Sequence, residues 1–150
     1  MYQLKITING ITPPIWRRLL VSENITRYKL HHIIQESFGW TNSHLYFFGE
    51  IDSKIGDPLL WDDKETTPDG LIKIRNVLVP DNSTLNYTYD MGDNWVHTIE
   101  LEQVYQEMKT KRKCIGGERR CPPEDCGGIP GYYQILETLK HPGPRNTGRW

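Results

Sequence analysis

Residues 85–101 read LNYTYDMGDNWVHTIEL, and this stretch decides the fold. Apolar and polar residues alternate over 85–89 and again over 95–101, the period of two that is typical of half-buried β-strands. The five residues between the runs include Gly92 and Asp93, which favour turns. The pattern therefore predicts a β-hairpin, with Trp95, His97 and Ile99 on one face of its second strand.

Outward from the hairpin, the chain alternates in the same way at its start. Residues 2–8 predict a strand that ends at the turn Asn9-Gly10, and residues 15–21 predict its neighbour after Pro13-Pro14. Residues 44–51 form a third, aromatic strand in this interpretation.

Two helices complete the predicted elements. Thr26 is placed to cap a helix that runs to about Phe38, and Gly39 to end it in a left-handed conformation. A shorter helix is predicted over 132–139, whereas the Pro- and Gly-rich segment 121–131 is expected to be irregular.

These elements predict a single α+β domain over 1–140, an antiparallel β-sheet with packed α-helices, followed by a frayed tail over 141–150. The core is expected from the apolar residues of the periodic segments. They are Leu4, Ile6, Trp16, Leu30, Ile34, Phe38, Phe47, Tyr87, Trp95, Ile99 and Leu136.

Composition excludes several classes of protein. The 150 residues carry five Trp and eight Tyr, which is incompatible with disorder, and a net charge of −1 argues against strong attraction to nucleic acid. The longest apolar runs are too short to span a bilayer, and no leader sequence is apparent. We therefore expect a cytoplasmic domain that makes no membrane contact, with its three cysteines reduced.

Four motifs, in order, resemble the plasmid pRiA4b ORF-3-like family. They are Pro14-Ile15-Trp16-Arg17-Arg18, the segment from Leu30-His31 to Gly39-Trp40-Thr41-Asn42-Ser43-His44-Leu45, Tyr89-Asp90-Met91-Gly92-Asp93-Asn94-Trp95-Val96-His97, and Cys121-Pro122-Pro123-Glu124-Asp125-Cys126-Gly127-Gly128-Ile129-Pro130-Gly131-Tyr132. The resemblance covers about residues 2–140.

The resemblance implies an antiparallel α+β domain and an association with mobile elements, and it implies no particular activity. The chain departs from the family pattern at Met91, where Phe is usual, and at Tyr46, where His is common. It also ends in a basic tail at Trp150, where the family usually continues into an acidic segment.

The three cysteines suggest a structural zinc site. Their spacing is Cys114-x6-Cys121-x4-Cys126, in which the second gap suits a zinc knuckle and the first is loose. His97 is the best fourth ligand, and His141 is another. The alternative is that the thiols are small, partly buried apolar groups.

A second candidate site combines carboxylates with imidazoles. Asp90, Asp93, His97, His31 and His44 are the candidate catalytic residues, because such groups can hold a divalent metal or act as an acid–base pair. Against this, Asp is common in turns for its backbone hydrogen bonds, and His97 shares an apolar face with Trp95.

Charge is distributed unevenly along the chain. A basic block over 109–120 could contact phosphates, but an acidic stretch over 50–70 could equally pair with it across a homodimer or meet a protein partner. The leading hypothesis is a non-enzymatic binding or interaction domain with a possible zinc site. The alternatives are a metal-dependent hydrolase that uses the Asp/His set and a DNA-binding accessory protein that uses residues 109–120.

Overall fold

The computed structural model describes residues 1–49, 72–106 and 113–140. In chain order its strands are β1 (Tyr2–Ile8), β2 (Ile15–Val21), β3 (Tyr46–Phe48), β4 (Thr84–Tyr89), β5 (Trp95–Val104) and β6 (Lys113–Glu118). Its helices are α1 (Arg27–Phe38), a short 3-10 helix (Ile74–Asn76) and α2 (Gly128–Lys140).

The strands form one six-stranded antiparallel sheet in the order β3-β4-β5-β1-β2-β6. The predicted hairpin is confirmed as β4 and β5, with Tyr89 opposite Trp95 and Tyr87 opposite His97. Tyr87, Trp95, His97 and Ile99 are buried, as the alternation of residues requires. The α+β fold with its antiparallel sheet is therefore confirmed.

Helix α1 has the ends that its sequence predicts. The Thr26 side chain accepts a hydrogen bond from the Lys29 amide at 3.1 Å, and Gly39 ends the helix in the left-handed region at φ 79°. The buried face of α1 includes Leu30, Ile34 and Phe38, so this helix contributes to the core.

Helix α2 begins earlier than the sequence predicts, and the expectation that 121–131 is wholly irregular is wrong for its last four residues. Gly128, at φ 71°, turns the chain into the helix. Pro130 then falls in the first turn, where a missing N–H breaks no helical hydrogen bond. Residues that suggested a loop thus form the start of a helix.

The predicted core is confirmed for eight residues and wrong for Trp16 and Phe47. Each of these two follows or lies between buried residues on its strand, so the period of two turns it to the opposite face. Lys5 and Arg18 place their charged groups 5.0 and 4.9 Å from the Trp16 ring. The eight buried residues are Leu4, Ile6, Leu30, Ile34, Phe38, Tyr87, Trp95 and Ile99, and partly buried Leu136 packs against them.

Some expectations fall outside the described residues. They are the end of the aromatic strand beyond residue 49, the acidic stretch over 50–70, the first part of the basic block up to residue 112, and the tail over 141–150. No helix in the described segments is long and apolar enough to cross a membrane.

Candidate metal centre

Four polar side chains converge at the turn of the hairpin. The His44 Nε2 atom lies 2.8 Å from Asp125 Oδ1, 3.5 Å from Asp90 Oδ2 and 3.5 Å from Glu124 Oε2. His44 precedes β3, Asp90 follows β4, and the two other acids lie in the loop between β6 and α2. The sheet order places β3 beside β4, which brings His44 next to Asp90.

The hairpin turn fixes the carboxylate of Asp90. Its Oδ1 atom accepts hydrogen bonds from the amides of Gly92 (3.1 Å) and Asp93 (3.3 Å), and its own amide donates to the Leu45 carbonyl. Asp90 adopts a left-handed backbone conformation at φ 60°, which Asp tolerates better than most residues. With Oδ1 occupied, Oδ2 remains to face His44.

The carboxylate of Glu124 is held by hydrogen bonds from Tyr89 and Thr41. The Tyr89 hydroxyl donates to it at 3.0 and 3.1 Å, and the Thr41 amide donates to Oε1 at 3.3 Å. Burial raises the pKa of Tyr89, so this phenol stays protonated and remains a donor. Ser43 in turn donates its amide to the Tyr89 oxygen, which fixes the phenol in place.

The Nε2 atom of His44 is shielded from solvent and makes no hydrogen bond of acceptable geometry, although a carboxylate oxygen lies 2.8 Å away. Ligand atoms around a divalent ion with bonds of about 2.0–2.2 Å are separated by about 2.8–3.6 Å, for octahedral to tetrahedral angles, and they face the ion instead of each other. The spacing around His44 matches that arrangement. His44, Asp90 and Asp125 are the one set of three such ligands within 4.8 Å of one another in the described segments.

One side of the cluster is open to solvent. The side chain of Asp125 is 70% exposed, whereas that of Asp90 is 10% exposed. Asp93 accepts a hydrogen bond from the Gly127 amide at 3.2 Å, so it ties the loop to the hairpin turn and does not join the cluster. An ion bound here would keep positions for water on the Asp125 side.

His31 is not part of this cluster. It lies buried on α1. Its Nδ1 atom is 2.7 Å from the Tyr87 hydroxyl, and its Nε2 atom is 2.7 Å from the Asn42 side-chain oxygen. Its ring stacks on Tyr46 at 3.6 Å between centroids. Both ring nitrogens have protein partners, so His31 is a structural histidine in this arrangement.

His97 is also a core residue. Its Nδ1 atom donates toward the carbonyls of Trp95 (2.8 Å) and Tyr87 (3.2 Å), and its ring packs edge-on against Phe38 and Trp40. Burial lowers the pKa of His97 to about 4, so the imidazole is neutral at physiological pH.

The cysteines and His97 do not form a set of ligands within mutual reach in this structure. Cys114 is exposed on β6 opposite Leu19, whereas Cys121 and Cys126 lie partly buried in the loop before α2. Burial raises the pKa of Cys121 to about 12 and also raises the pKa of Cys126. Zinc binding at the cysteines stays a prediction that metal analysis must test.

Of the five predicted acid and imidazole residues, the structure brings together His44 and Asp90. The sequence interpretation missed Glu124 and Asp125, which complete the cluster. Their signal was present, because two adjacent acids stand inside the motif Cys121-Pro122-Pro123-Glu124-Asp125-Cys126, which is otherwise composed of turn residues and thiols.

Fold and site together define a small antiparallel α+β domain with an imidazole–carboxylate cluster at its hairpin turn. The chain belongs to the plasmid pRiA4b ORF-3-like protein family, whose sequence model matches residues 1–149. It is 36% identical to an uncharacterized protein, y4hQ, of Sinorhizobium fredii, over 93% of this chain and 73% of that protein.

A solved structure shares the fold. The crystal structure of the protein of unknown function MM3350 from Methanosarcina mazei Go1 superimposes with a TM-score of 0.77 at 37% identity. The match covers 93% of this chain and 81% of that one.

Proposed function

We propose that this chain is a binding domain organised around a divalent cation, held by His44, Asp90 and Asp125 with Glu124 beside them. The observation that carries the proposal is the His44 Nε2 atom, buried and without a hydrogen bond at the focus of three carboxylates. A polar atom withdrawn from water costs free energy unless it finds a partner. A cation would supply that partner.

The donor set indicates which ions would fit. Carboxylate oxygens suit Mg²⁺ and Mn²⁺, an imidazole nitrogen suits Zn²⁺ and other transition metals, and a mixed set favours Zn²⁺ or Mn²⁺ over Mg²⁺. The hydrogen bonds that hold Asp90 and Glu124 supply the outer partners that metal-bound carboxylates usually have.

Isothermal titration of the metal-free protein with ZnCl₂, MnCl₂ and MgCl₂ tests the proposal. We expect one site, with Zn²⁺ and Mn²⁺ bound at least tenfold more tightly than Mg²⁺. Asp90→Asn keeps an Oδ1 acceptor for the turn and removes the second carboxylate oxygen, so it should weaken binding at least tenfold while the fold persists.

Asp81→Asn, in an exposed turn away from the cluster, is the matched control and should bind the ions as the wild type does. The proposal fails if wild-type protein binds no ion at millimolar concentration, or if Asp90→Asn binds as tightly as wild type.

A second candidate function is metal-dependent hydrolysis, and the exposure of Asp125 favours it. A bound Zn²⁺ with an open position lowers the pKa of its water to about 7 and makes a nucleophile at neutral pH. We would compare hydrolysis of p-nitrophenyl acetate and bis(p-nitrophenyl) phosphate by Zn²⁺-loaded wild type and Asp90→Asn. Turnover lost in the variant supports an enzyme, and turnover that is absent in wild type or equal in both proteins contradicts it.

A further inference from the structure

A cavity of about 580 Å³ lies between the end of α1, the loop over 119–124 and helix α2. Its volume is in the range of pockets that enclose a small organic molecule, about 300–1,000 Å³. Of the metal cluster, only Glu124 reaches its wall. The cavity is therefore a separate site that shares one residue with the proposed metal centre.

Most of the wall is apolar and aromatic. Phe38 and Trp40 stack with their ring centroids 5.4 Å apart, and the Trp40 indole N–H donates to the Pro122 carbonyl at 2.9 Å. Helix α2 contributes Tyr132 and the aliphatic residues Ile135, Leu136 and Leu139. The lining therefore offers both aromatic and aliphatic side chains to a hydrocarbon body.

Three arginines line the same cavity: Arg17, Arg119 and Arg120. Arg17 donates to the carbonyls of Ser37 and Trp16, and Arg119 donates to that of Pro13. Among the described residues, none of the three has a carboxylate within 4.0 Å. None of the three guanidinium groups is therefore in an ion pair with a described carboxylate.

Groups inside the cavity respond to this charge. Burial raises the pKa of Tyr132, and the guanidinium of Arg119 opposes that rise. Burial likewise raises the pKa of the Cys121 thiol, and Arg17 opposes it. The wall therefore combines neutral side chains with three cationic ones, and the Glu124 carboxylate is already engaged by Tyr89 and Thr41.

We propose that this cavity binds a small organic anion with a flat apolar body, its anionic group held by Arg119 and Arg120 and its body packed between Trp40 and α2. Guanidinium groups recognise carboxylates and related oxyanions through paired N–H donors. The apolar body would supply most of the affinity, and the anionic group would fix its orientation. The proposal does not depend on the metal centre.

The test is a titration with 2-naphthoate in which binding is monitored by tryptophan fluorescence and by calorimetry. EDTA is present so that metal plays no part. We expect saturable binding of 2-naphthoate, and an affinity at least tenfold lower for the neutral 2-naphthylmethanol. Arg120→Met should lower the affinity for 2-naphthoate at least fivefold and leave the affinity for the alcohol unchanged. Leu139→Trp, which fills the cavity from α2, should abolish both.

Arg75→Met is the matched control, because Arg75 is exposed and bonds Asn24 away from the cavity. It should bind 2-naphthoate as wild type does, and circular dichroism should show each variant folded. Equal affinity for acid and alcohol, unchanged binding in folded Leu139→Trp, or no binding of 2-naphthoate at millimolar concentration would overturn the proposal.

Discussion

Two histidines of this chain show how the environment decides what an imidazole does. His97 is fully buried among aromatic rings with its Nδ1 atom on backbone carbonyls, so it serves the core. His44 is 28% exposed and faces three carboxylates. The sequence places His97 on an apolar face, and that pattern correctly favoured a core role. Nothing local distinguishes His44, because its partners come from distant segments.

His97 should make the protein less stable in acid. Its pKa is about 4 in the folded state against an ordinary 6.5. Between pH 4 and 6.5 the unfolded chain therefore binds a proton at this residue that the folded chain does not bind. Stability from this group is complete above pH 6.5 and is lost as the pH falls to 4, by about 3 kcal/mol in total. Urea unfolding from pH 7.5 to 4 measures the loss.

His97→Gln keeps a side-chain N–H donor and cannot be protonated, so its unfolding free energy should change less over the same range of pH. His32→Gln, on the outer part of α1, should retain the wild-type slope. A slope in His97→Gln equal to that of wild type would contradict this account of His97.

The cysteines should differ in reactivity. Cys121, with its pKa raised to about 12 by burial, carries little thiolate at pH 8, whereas Cys114 is exposed. Because the thiolate is the nucleophile, we expect iodoacetamide to modify Cys114 at least about 100-fold faster than Cys121. Peptide mapping by mass spectrometry measures both rates, and urea-unfolded protein, in which the rates should converge, is the control. Equal rates in the folded protein would refute the burial of Cys121.

At the scale of elements, the packing of α2 against the hairpin turn depends on Gly128. Gly128 has φ 71°, and a Cβ there would lie 2.6 Å from the Asp93 carbonyl oxygen. Gly128→Ala should therefore lower the free energy of unfolding by about 2 kcal/mol or more, from left-handed strain plus the clash. Urea unfolding measures this.

Gly116→Ala is the matched control for Gly128→Ala. Gly116 lies on the edge strand β6, and a Cβ there would come no closer than 3.7 Å to its neighbours. We expect a change below about 1 kcal/mol, as for a strand position with room for a methyl group. If Gly128→Ala were no more harmful than Gly116→Ala, the close packing of α2 on the turn would be wrong.

The same elements show what a single sequence can predict. The hairpin and α1 were predictable because period, cap and turn residues lie within each segment. The position of Trp16 and Phe47 outside the core was not predictable, because apolar residues occupy both faces of their strands and only neighbours decide which face is covered. The start of α2 was missed because glycine and proline can begin a helix as well as break one.

At the scale of the molecule, the candidate metal centre is a product of topology. Residues 44, 90, 124 and 125 meet because β3 lies beside β4 and because the loop before α2 folds back onto the hairpin turn. Trp40 secures that loop through Pro122. No periodic pattern encodes such long-range contacts, so the sequence identified Asp90 and His44 as candidates without showing that they meet.

A cation that binds the folded state alone should stabilise the whole domain. At a concentration 100 times the dissociation constant the gain is about 2.7 kcal/mol, which corresponds to a rise in Tm of roughly 5–10 °C for a domain of this size. Thermal unfolding with MnCl₂ should show this rise in wild type and Asp81→Asn, and at most about half of it in Asp90→Asn, whose binding is at least tenfold weaker. A rise of equal size in all three proteins would indicate nonspecific binding.

The most direct test of the metal centre is a crystal structure of the protein grown with ZnCl₂, with diffraction recorded on both sides of the zinc absorption edge. We expect one strong anomalous peak about 2.0–2.2 Å from His44 Nε2, Asp90 Oδ2 and Asp125 Oδ1. A peak at Cys121 and Cys126 instead, or none at His44, would contradict it.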